Sequence, residues 1–351
     1  MPSRFIEKVS SLDDIQNLPG SAGIGSYAGV PFARTDAGLI QLGLAGPGKR
    51  FFLDPLNGSD LNDGLSPANA KATLDGTAGA FSLATAGKND IIFLIGNGAT
   101  TATERIDAAF DWNKAATHLV GISSGAVINN RARIAPTAST TAFAAFFTVS
   151  ASGCLFQNIA WVHAFTTGVA SAICVTLTGS RNKFVNCHFA GMADAESAQD
   201  AGSRCVKFTG ASENEFVGCV FGVDTIDRTT TNATLEFVTA SARNRFIDCV
   251  FLMTASAATP NVIKVGTSGT DRYNIYENCR FLCSIIGTGV PITGVVLAPA
   301  NPGGMQVFFN PMCLGVLTYG YDATSDLSIR IAGGVVPANG ALIGLSVAPA
   351  A

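Results

Sequence analysis

The sequence predicts an all-β solenoid of stacked coils, and three observations carry that prediction. The first is a recurring phrase of an aromatic lead, a corner residue, a Cys and a second aromatic. It reads Phe184-Val185-Asn186-Cys187-His188-Phe189, Phe216-Val217-Gly218-Cys219-Val220-Phe221, Phe246-Ile247-Asp248-Cys249-Val250-Phe251 and Tyr276-Glu277-Asn278-Cys279-Arg280-Phe281. By subtraction the leads are 32, 30 and 30 residues apart, with degenerate copies led by Phe156 and Phe308 at offsets of 28 and 32. A fixed period of this size marks units that cannot bury their apolar face alone and therefore stack. The second observation is the corner column, Asn158, Asn186, Gly218, Asp248, Asn278 and Asn310. These three residue types tolerate the left-handed backbone that a tight corner demands. The third is a strand-like segment ahead of each copy: Phe147-Thr148-Val149, Val175-Thr176-Leu177, Val206-Lys207-Phe208, Leu235-Glu236-Phe237, Ile263-Lys264-Val265 and Val295-Val296-Leu297. Strand, turn, strand, left-handed corner, strand and a variable loop make one coil of a right-handed parallel β-helix. Each strand then pairs with its counterparts in adjacent coils at about 4.8 Å.

Three regions follow in order. Residues 1–50 precede the coils; residues 20–33 are uncharged, Gly-rich and dotted with apolar anchors, as expected of a docking arm that orders along another protein. Residues 51–317 form the β-helix. Leu74, Ala78 and Phe81 keep helical spacing for an N-terminal cap, and residues 89–96 read as the first buried strand. Within the phrase, a bend at the corner points Phe184, Cys187 and Phe189 inward. His188 then falls in an outward column with Val220, Val250 and Arg280 and reads as a surface side chain. The insertions at residues 192–204 and 224–231 are expected to project as edge loops. Residues 318–351 read as a β-rich C-terminal cap and oligomerisation segment. No charge follows Arg330, and residues 327–331, 331–336 and 341–347 alternate like strands that must pair with something.

The entrance to the helix carries a resemblance. Phe51-Phe52-Leu53-Asp54-Pro55-Leu56-Asn57-Gly58-Ser59-Asp60-Leu61-Asn62-Asp63-Gly64-Leu65-Ser66-Pro67, then Ala72-Thr73-Leu74, resembles the opening of pectate-lyase-like β-helix proteins. That opening is an apolar strand, Asp-Pro, Gly-Ser-Asp, an Asp-Gly turn and Ala-x-x-Thr-Ile or similar. The resemblance implies the fold across roughly residues 50–315. It does not select a function, because lyases, hydrolases, binding proteins and phage virion components share the fold. Residues 60–64 read as a surface turn, since the alternating acids and distant Glu of a calcium loop are missing.

Composition narrows the chemistry. Charged residues make up 13% of the chain and the net charge is −3, which offers no basic surface to nucleic acid. No apolar run is long enough to cross a bilayer, and the first residues lack the apolar core of a signal peptide. Of the nine cysteines, Cys187, Cys219, Cys249 and Cys279 stack in the core by register and read as small buried hydrophobes, with neither disulfide nor metal-ligand spacing. Catalysis on this fold uses paired carboxylates, or Arg or Lys as base assisted by calcium-binding acids. The outward candidates are Glu236, Asp248 and Glu277, and Glu236 lies between Lys207 and Lys264. No two carboxylates occupy matching columns of successive coils, and nothing draws Asp194, Glu196, Asp200, Asp224 or Asp227 together. The expectation is therefore no catalytic, cofactor-binding or metal-binding residue, no cofactor, and no enzyme.

With reduced cysteines, low surface charge and uncharged ends, the whole chain looks like a structural protein of a phage virion, made in the host cytoplasm. A capsid decoration or cement protein that binds and stabilises the head fits best, with the major capsid protein as partner and neither nucleic acid nor membrane. Three-fold assembly as a homotrimer is what the resemblance implies. The alternative is a tail fibre or tailspike that binds, and in one form cleaves, host surface polysaccharide.

Overall fold

The computed structural model describes residues 48–123, 132–137, 145–164, 173–284 and 289–333, together with the backbone of three strands, Ile24–Tyr27, Val30–Thr35 and Gly38–Gln41. Those three form an antiparallel meander. From Arg50 to Ala332 the chain winds as a parallel β-helix. Among the described residues its strands form parallel sheets of ten, nine and eight members, and every coil adds one strand to each in turn. The six segments ahead of the phrase all lie in the eight-stranded sheet, the first five in the register expected and the last shifted by one residue, with Ile263 on Val296 and Lys264 on Leu297.

The corner column behaves as its residue types require. Asn158, Asn186, Gly218, Asp248, Asn278 and Asn310 take φ of 56°, 50°, 59°, 53°, 51° and 47°. Each donates its backbone N–H to the next coil, for example Asn186 to the Val217 carbonyl at 2.9 Å. Beyond the corner both aromatic positions turn inward and stack. Phe156, Phe184, Phe216, Phe246, Tyr276 and Phe308 form one column with ring centroids 4.7–4.9 Å apart. Trp161, Phe189, Phe221, Phe251 and Phe281 form a second at 4.8–5.1 Å. The columns meet edge-to-face, the arrangement that the ring quadrupole favours. The cysteines between them are free and fully buried. Their thiols also reach back one coil, as Cys219 Sγ does to the Phe184 carbonyl at 3.5 Å.

A second ladder escaped the sequence reading. Asn182, Asn214, Asn244 and Asn274, two residues before each aromatic lead, are buried at the turn into the ten-stranded sheet. Each carboxamide oxygen accepts the backbone N–H one coil earlier: Cys154 to Asn182 at 2.8 Å, Asn182 to Asn214 at 2.9 Å, and Asn214 to Asn244 and Asn244 to Asn274 at 3.1 Å. The turn thus satisfies its own buried amides. Tyr276 replaces Phe in the stack where Gln306 replaces Asn in the ladder, and its hydroxyl meets Gln306 Oε1 at 3.0 Å.

Three expectations need correction. The cap helix is confined to Ala80–Leu83, and Ala78 is exposed. Gly79 holds a turn so tight that a Cβ there would stand 1.8 Å from the Asp75 carbonyl oxygen. Phe81 closes the core end against Phe110 and Trp112, with Lys114 Nζ 4.7 Å above its ring. The insertions do not simply project. One carries a short helix, Ala195–Gln199, and the other a strand, Asp227–Arg228, that pairs with Val250–Ala255; Met192, Ser197, Ala198 and Arg228 are buried by this folding back. Third, His188 is buried, and the carbonyl of Gly222, which follows the strand Val220–Phe221, lies 2.9 Å from Nε2. The expected strand at residues 341–347 lies outside the described residues.

Candidate functional site

The outer face of the ten-stranded sheet differs from the other faces. In register across nine successive strands stand Phe52, Phe93, Val120, Gln157, Val185, Val217, Ile247, Glu277 and Phe309. At about 4.8 Å per step this outward, mostly apolar column runs about 40 Å along the axis. Phe52 and Phe93 stack at 5.4 Å, and Ile91, Val120 and Leu155 form an apolar cluster separate from the core. Charges border the strip. Lys183, Glu215 and Arg245 occupy the adjacent column, with Lys183–Glu215 at 2.7 Å, Arg245–Glu215 at 3.6 Å and Arg245–Glu277 at 2.7 Å. At the neighbouring corner Glu213 receives Arg181 and Arg243, each at 2.6 Å. Isolated exposed pairs of this kind contribute little to stability, so the pattern matters more for what it presents than for what it holds.

The sequence-derived carboxylates land as follows. Glu236 lies on the outer face of the eight-stranded sheet, with Lys264 and Lys207 at 3.4 and 3.9 Å as the columns predicted. Arg204, which the sequence reading passed over, is nearer at 3.1 Å and almost wholly buried. Burial acts to raise the Glu236 pKa, but the Arg204 guanidinium, with Lys264 and Lys207, holds it below the usual carboxylate value. One carboxylate among three cations leaves this patch net positive. Glu277 is held by Arg245, and Asp248 is an exposed corner residue. Asp194 caps the inserted helix through the Ser197 N–H, and Asp200 accepts from the Gly202 N–H. Asp60 is a structural clamp that accepts from the Ala72 and Thr73 N–H groups and the Thr73 hydroxyl, so the turn reading of residues 60–64 stands.

Carboxylates gather instead at the N-terminal end of the core. Glu104 points into the N-terminal end of the core, where Oε1 accepts the Leu74 N–H at 2.6 Å. Burial, reinforced by Asp75 and Asp60, pushes its pKa up to about 8. Burial and the neighbouring Asp107 and Asp60 also raise Asp75. Asp60, Asp75 and Asp107 come from loops, and Glu104 is an inward residue of the strand Glu104–Ile106, so a search of outward columns misses all four. The three histidines are all buried. His118 Nδ1 accepts the Leu155 N–H at 3.0 Å, and burial lowers its pKa to about 4. Among the described residues no group of three or more His, Cys, Asp or Glu is arranged to hold a metal ion, and no helix is long and apolar enough to cross a membrane.

No family model and no curated protein matches the chain. Solved structures match the fold. Pectate lyase Pel9A superposes with a TM-score of 0.52 at 14% identity, covering 88% of this chain and 83% of that one. Pectin methylesterase from Yersinia enterocolitica gives 0.45 at 13% identity, covering 69% and 79%. ORF18 of Geobacillus virus E2 gives 0.45 at 11% identity, covering 82% of this chain and 60% of that one. The chain therefore has the pectate-lyase-like fold that its opening residues resemble. The expectation of no enzyme is corrected: pectate lyase Pel9A, by its name an enzyme, has this fold, so the fold and its empty columns give no ground for excluding catalysis. The physical fault lay in treating empty outward columns as decisive, since Asp60 and Asp75, from loops, come within electrostatic reach of Glu104, which points inward from the strand Glu104–Ile106, and Asp107 comes within reach of Asp75.

Proposed function

We propose that this chain is a structural component of a phage particle, a decoration protein that packs as a trimer and attaches to the head surface. The observation that carries the reading is the apolar strip on the outer face of the ten-stranded sheet. A rod with a mostly apolar, half-buried strip about 40 Å long on one side, ending in the exposed Phe309, presents the kind of patch that marks a protein interface. The strip runs parallel to the solenoid axis, so copies related by an axis along the rod can bury it against one another over its full length. The bordering charges alternate in sign, and neighbouring copies can share them without stranding a net charge. Residues 1–50 then attach the assembly to the major capsid protein.

Light scattering of the purified protein tests the assembly, with a trimer expected and a stable monomer refuting it. Val217→Asp with Ile247→Asp should give monomers that keep their fold by circular dichroism. Deleting residues 1–45 should leave the β-helix folded and abolish binding to particles; retained binding refutes the docking arm. A second reading, a tailspike that binds or cleaves host polysaccharide, draws on the net positive patch of Arg204, Lys207 and Lys264 around Glu236, which suits an acidic sugar. New reducing or unsaturated ends after incubation with capsule or lipopolysaccharide would favour it, as would electron microscopy of particles showing the chain on the tail.

A further inference from the structure

The inserted strand Asp227–Arg228 carries a charge to a place that offers it no counterion. Asp227 turns to solvent and Arg228 turns inward, where only 1% of its surface stays exposed. Its Nη1 donates to Thr234 Oγ1 at 2.9 Å and its Nη2 to Cys205 Sγ at 3.9 Å. Thr234 and Cys205 are fully buried and, by register, stand side by side on adjacent strands. A guanidinium has five N–H donors, and Nε is buried without a partner among the described residues. Neither partner is an acid, and Asp224 of the same insertion is exposed like Asp227. The ionisable groups that act on Arg228 are the thiols of Cys205 and Cys283 and a second cation, Arg204, whose Nε is also buried and unpartnered. Burial outweighs Arg228 at Cys205 and holds that thiol above its usual value, so it stays neutral. The acids outside the described residues are Glu7, Asp13, Asp14 and Asp36, all ahead of the first coil in sequence. The internal stretches 124–131, 138–144, 165–172 and 285–288 contain none. An arginine keeps its proton, and a buried charge calls for an opposite one.

We propose that a small monovalent anion of halide size binds beside Arg228 Nε and locks the insertion onto the coil. Closure sets the size. Arg228, Thr234 and Cys205 leave almost no surface to solvent, and a Cβ at Gly222 would stand 2.9 Å from Nη2 and 2.4 Å from the Leu252 carbonyl oxygen. A guanidinium is weakly hydrated and suits a weakly hydrated anion such as chloride or bromide. Entry needs the insertion to lift, and little holds it. Asp227 pairs with Thr254 and Arg228 with Ala255, the Thr254 hydroxyl donates to the Asp224 carbonyl at 2.6 Å, and the Ser256 N–H donates to the Arg228 carbonyl at 3.1 Å. Local opening of so short a strand admits the ion, and the ion then favours the closed form by mass action. The strand pairs in the nine-stranded sheet, away from the apolar strip, so the site rests on neither functional reading.

The test uses the full chain at constant ionic strength, with sodium gluconate, whose anion is too large for the site, exchanged for sodium bromide. Amide exchange at Ser256 reads release of the insertion. It should slow by about tenfold once bromide stands at about ten times its Kd, while exchange at Phe216 and Phe246 stays the same. Arg228→Met keeps the length of the side chain and removes its charge. That variant should fold, with exchange at Ser256 indifferent to bromide. An equal bromide response in chain and variant overturns the proposal, as does no response in the unaltered chain. If Arg228→Met fails to fold, crystals of the unaltered chain grown in bromide decide. Anomalous scattering beside Arg228 Nε is the expected result; bromide confined to surface cations such as Lys207 and Lys264, or none at all, overturns it.

Discussion

Removing the carboxamide of Asn244 tests whether the buried ladder, rather than the aromatic stack alone, holds successive coils together. Asn244 is fully buried. Its Oδ1 accepts the Asn214 N–H at 3.1 Å and Asn214 Nδ2 at 3.0 Å, while its own Nδ2 donates to the Ala211 carbonyl at 3.0 Å and to Asn274 Oδ1 at 3.1 Å. In Asn244→Ala, Asn214 Nδ2 keeps the Gly179 carbonyl and Asn274 Oδ1 keeps the Asn244 N–H. The groups left without these partners are the Asn214 N–H and the Ala211 carbonyl. Each stranded buried polar group costs about 1–3 kcal/mol, so the substitution should cost about 4 kcal/mol. Urea denaturation followed by circular dichroism reads the total, and amide exchange at Asn214 reads the local part. Asn186→Gly is the control. It occupies the half-exposed corner, loses the 2.7 Å bond to Asn158 Oδ1, and places Gly where φ is 50°. That change should fall within about 0.5 kcal/mol of neutral. A cost for Asn244→Ala below about 1 kcal/mol would show that the turn amides find other partners, and the ladder argument would fail.

Three further outcomes are expected. Phe216→Ala, which removes a ring stacked at 4.7 Å on both sides, should cost about 3–5 kcal/mol in chemical denaturation, and a near-neutral result would mean the inward column is misassigned. Gly218→Asn should be tolerated and Gly218→Val should cost about 1–2 kcal/mol or more by thermal melting; the site has open space but φ of 59°, so backbone conformation alone separates the two. Stability should peak near pH 6.5. Burial depresses His163 to about 3, His118 to about 4, and also His188, so the unfolded chain binds more protons and stability falls below pH 6.5 by at most about 1.4 kcal/mol per pH unit per histidine. Glu104, raised to about 8, has the opposite sign, and its contribution is lost as pH rises from about 4.5 to 8. Denaturation midpoints across pH 5–8 check this, and a monotonic profile would refute it.

The fold was legible because the features that define it repeat. A left-handed corner admits few residue types, so six positions of Asn, Gly or Asp announce it, and φ at all six agrees. The Asn ladder was equally periodic, two residues before each lead, but Asn in a turn reads as ordinary turn chemistry. Its role needs the knowledge that the turn is buried. His188 was misread for the opposite reason. Its column was right, but whether that column is covered differs from coil to coil: Ala160, His188 and Val220 are buried there while Arg280 is exposed. Glu104 and Asp75 share this character. They meet across a coil end, and periodicity carries no information about a place that occurs once.

This contrast bears on the apolar strip. Inward columns are apolar because a solenoid has no other core, so their composition reports folding alone. The two outward columns of the ten-stranded sheet lie on the same strands and meet the same backbone demands, yet they differ. One accepts Lys183, Glu215 and Arg245 in succession, while the other holds Val185, Val217 and Ile247 on those very strands. The fold tolerates charge at that depth and twist, so it does not require the valines and isoleucine. Each outward β-branched residue instead leaves apolar area in water at about 25 cal/mol per Å², a cost that covering by a partner removes. A property the coil does not need, held in register along the rod, is the ground for the proposal that this side of the solenoid packs against a partner.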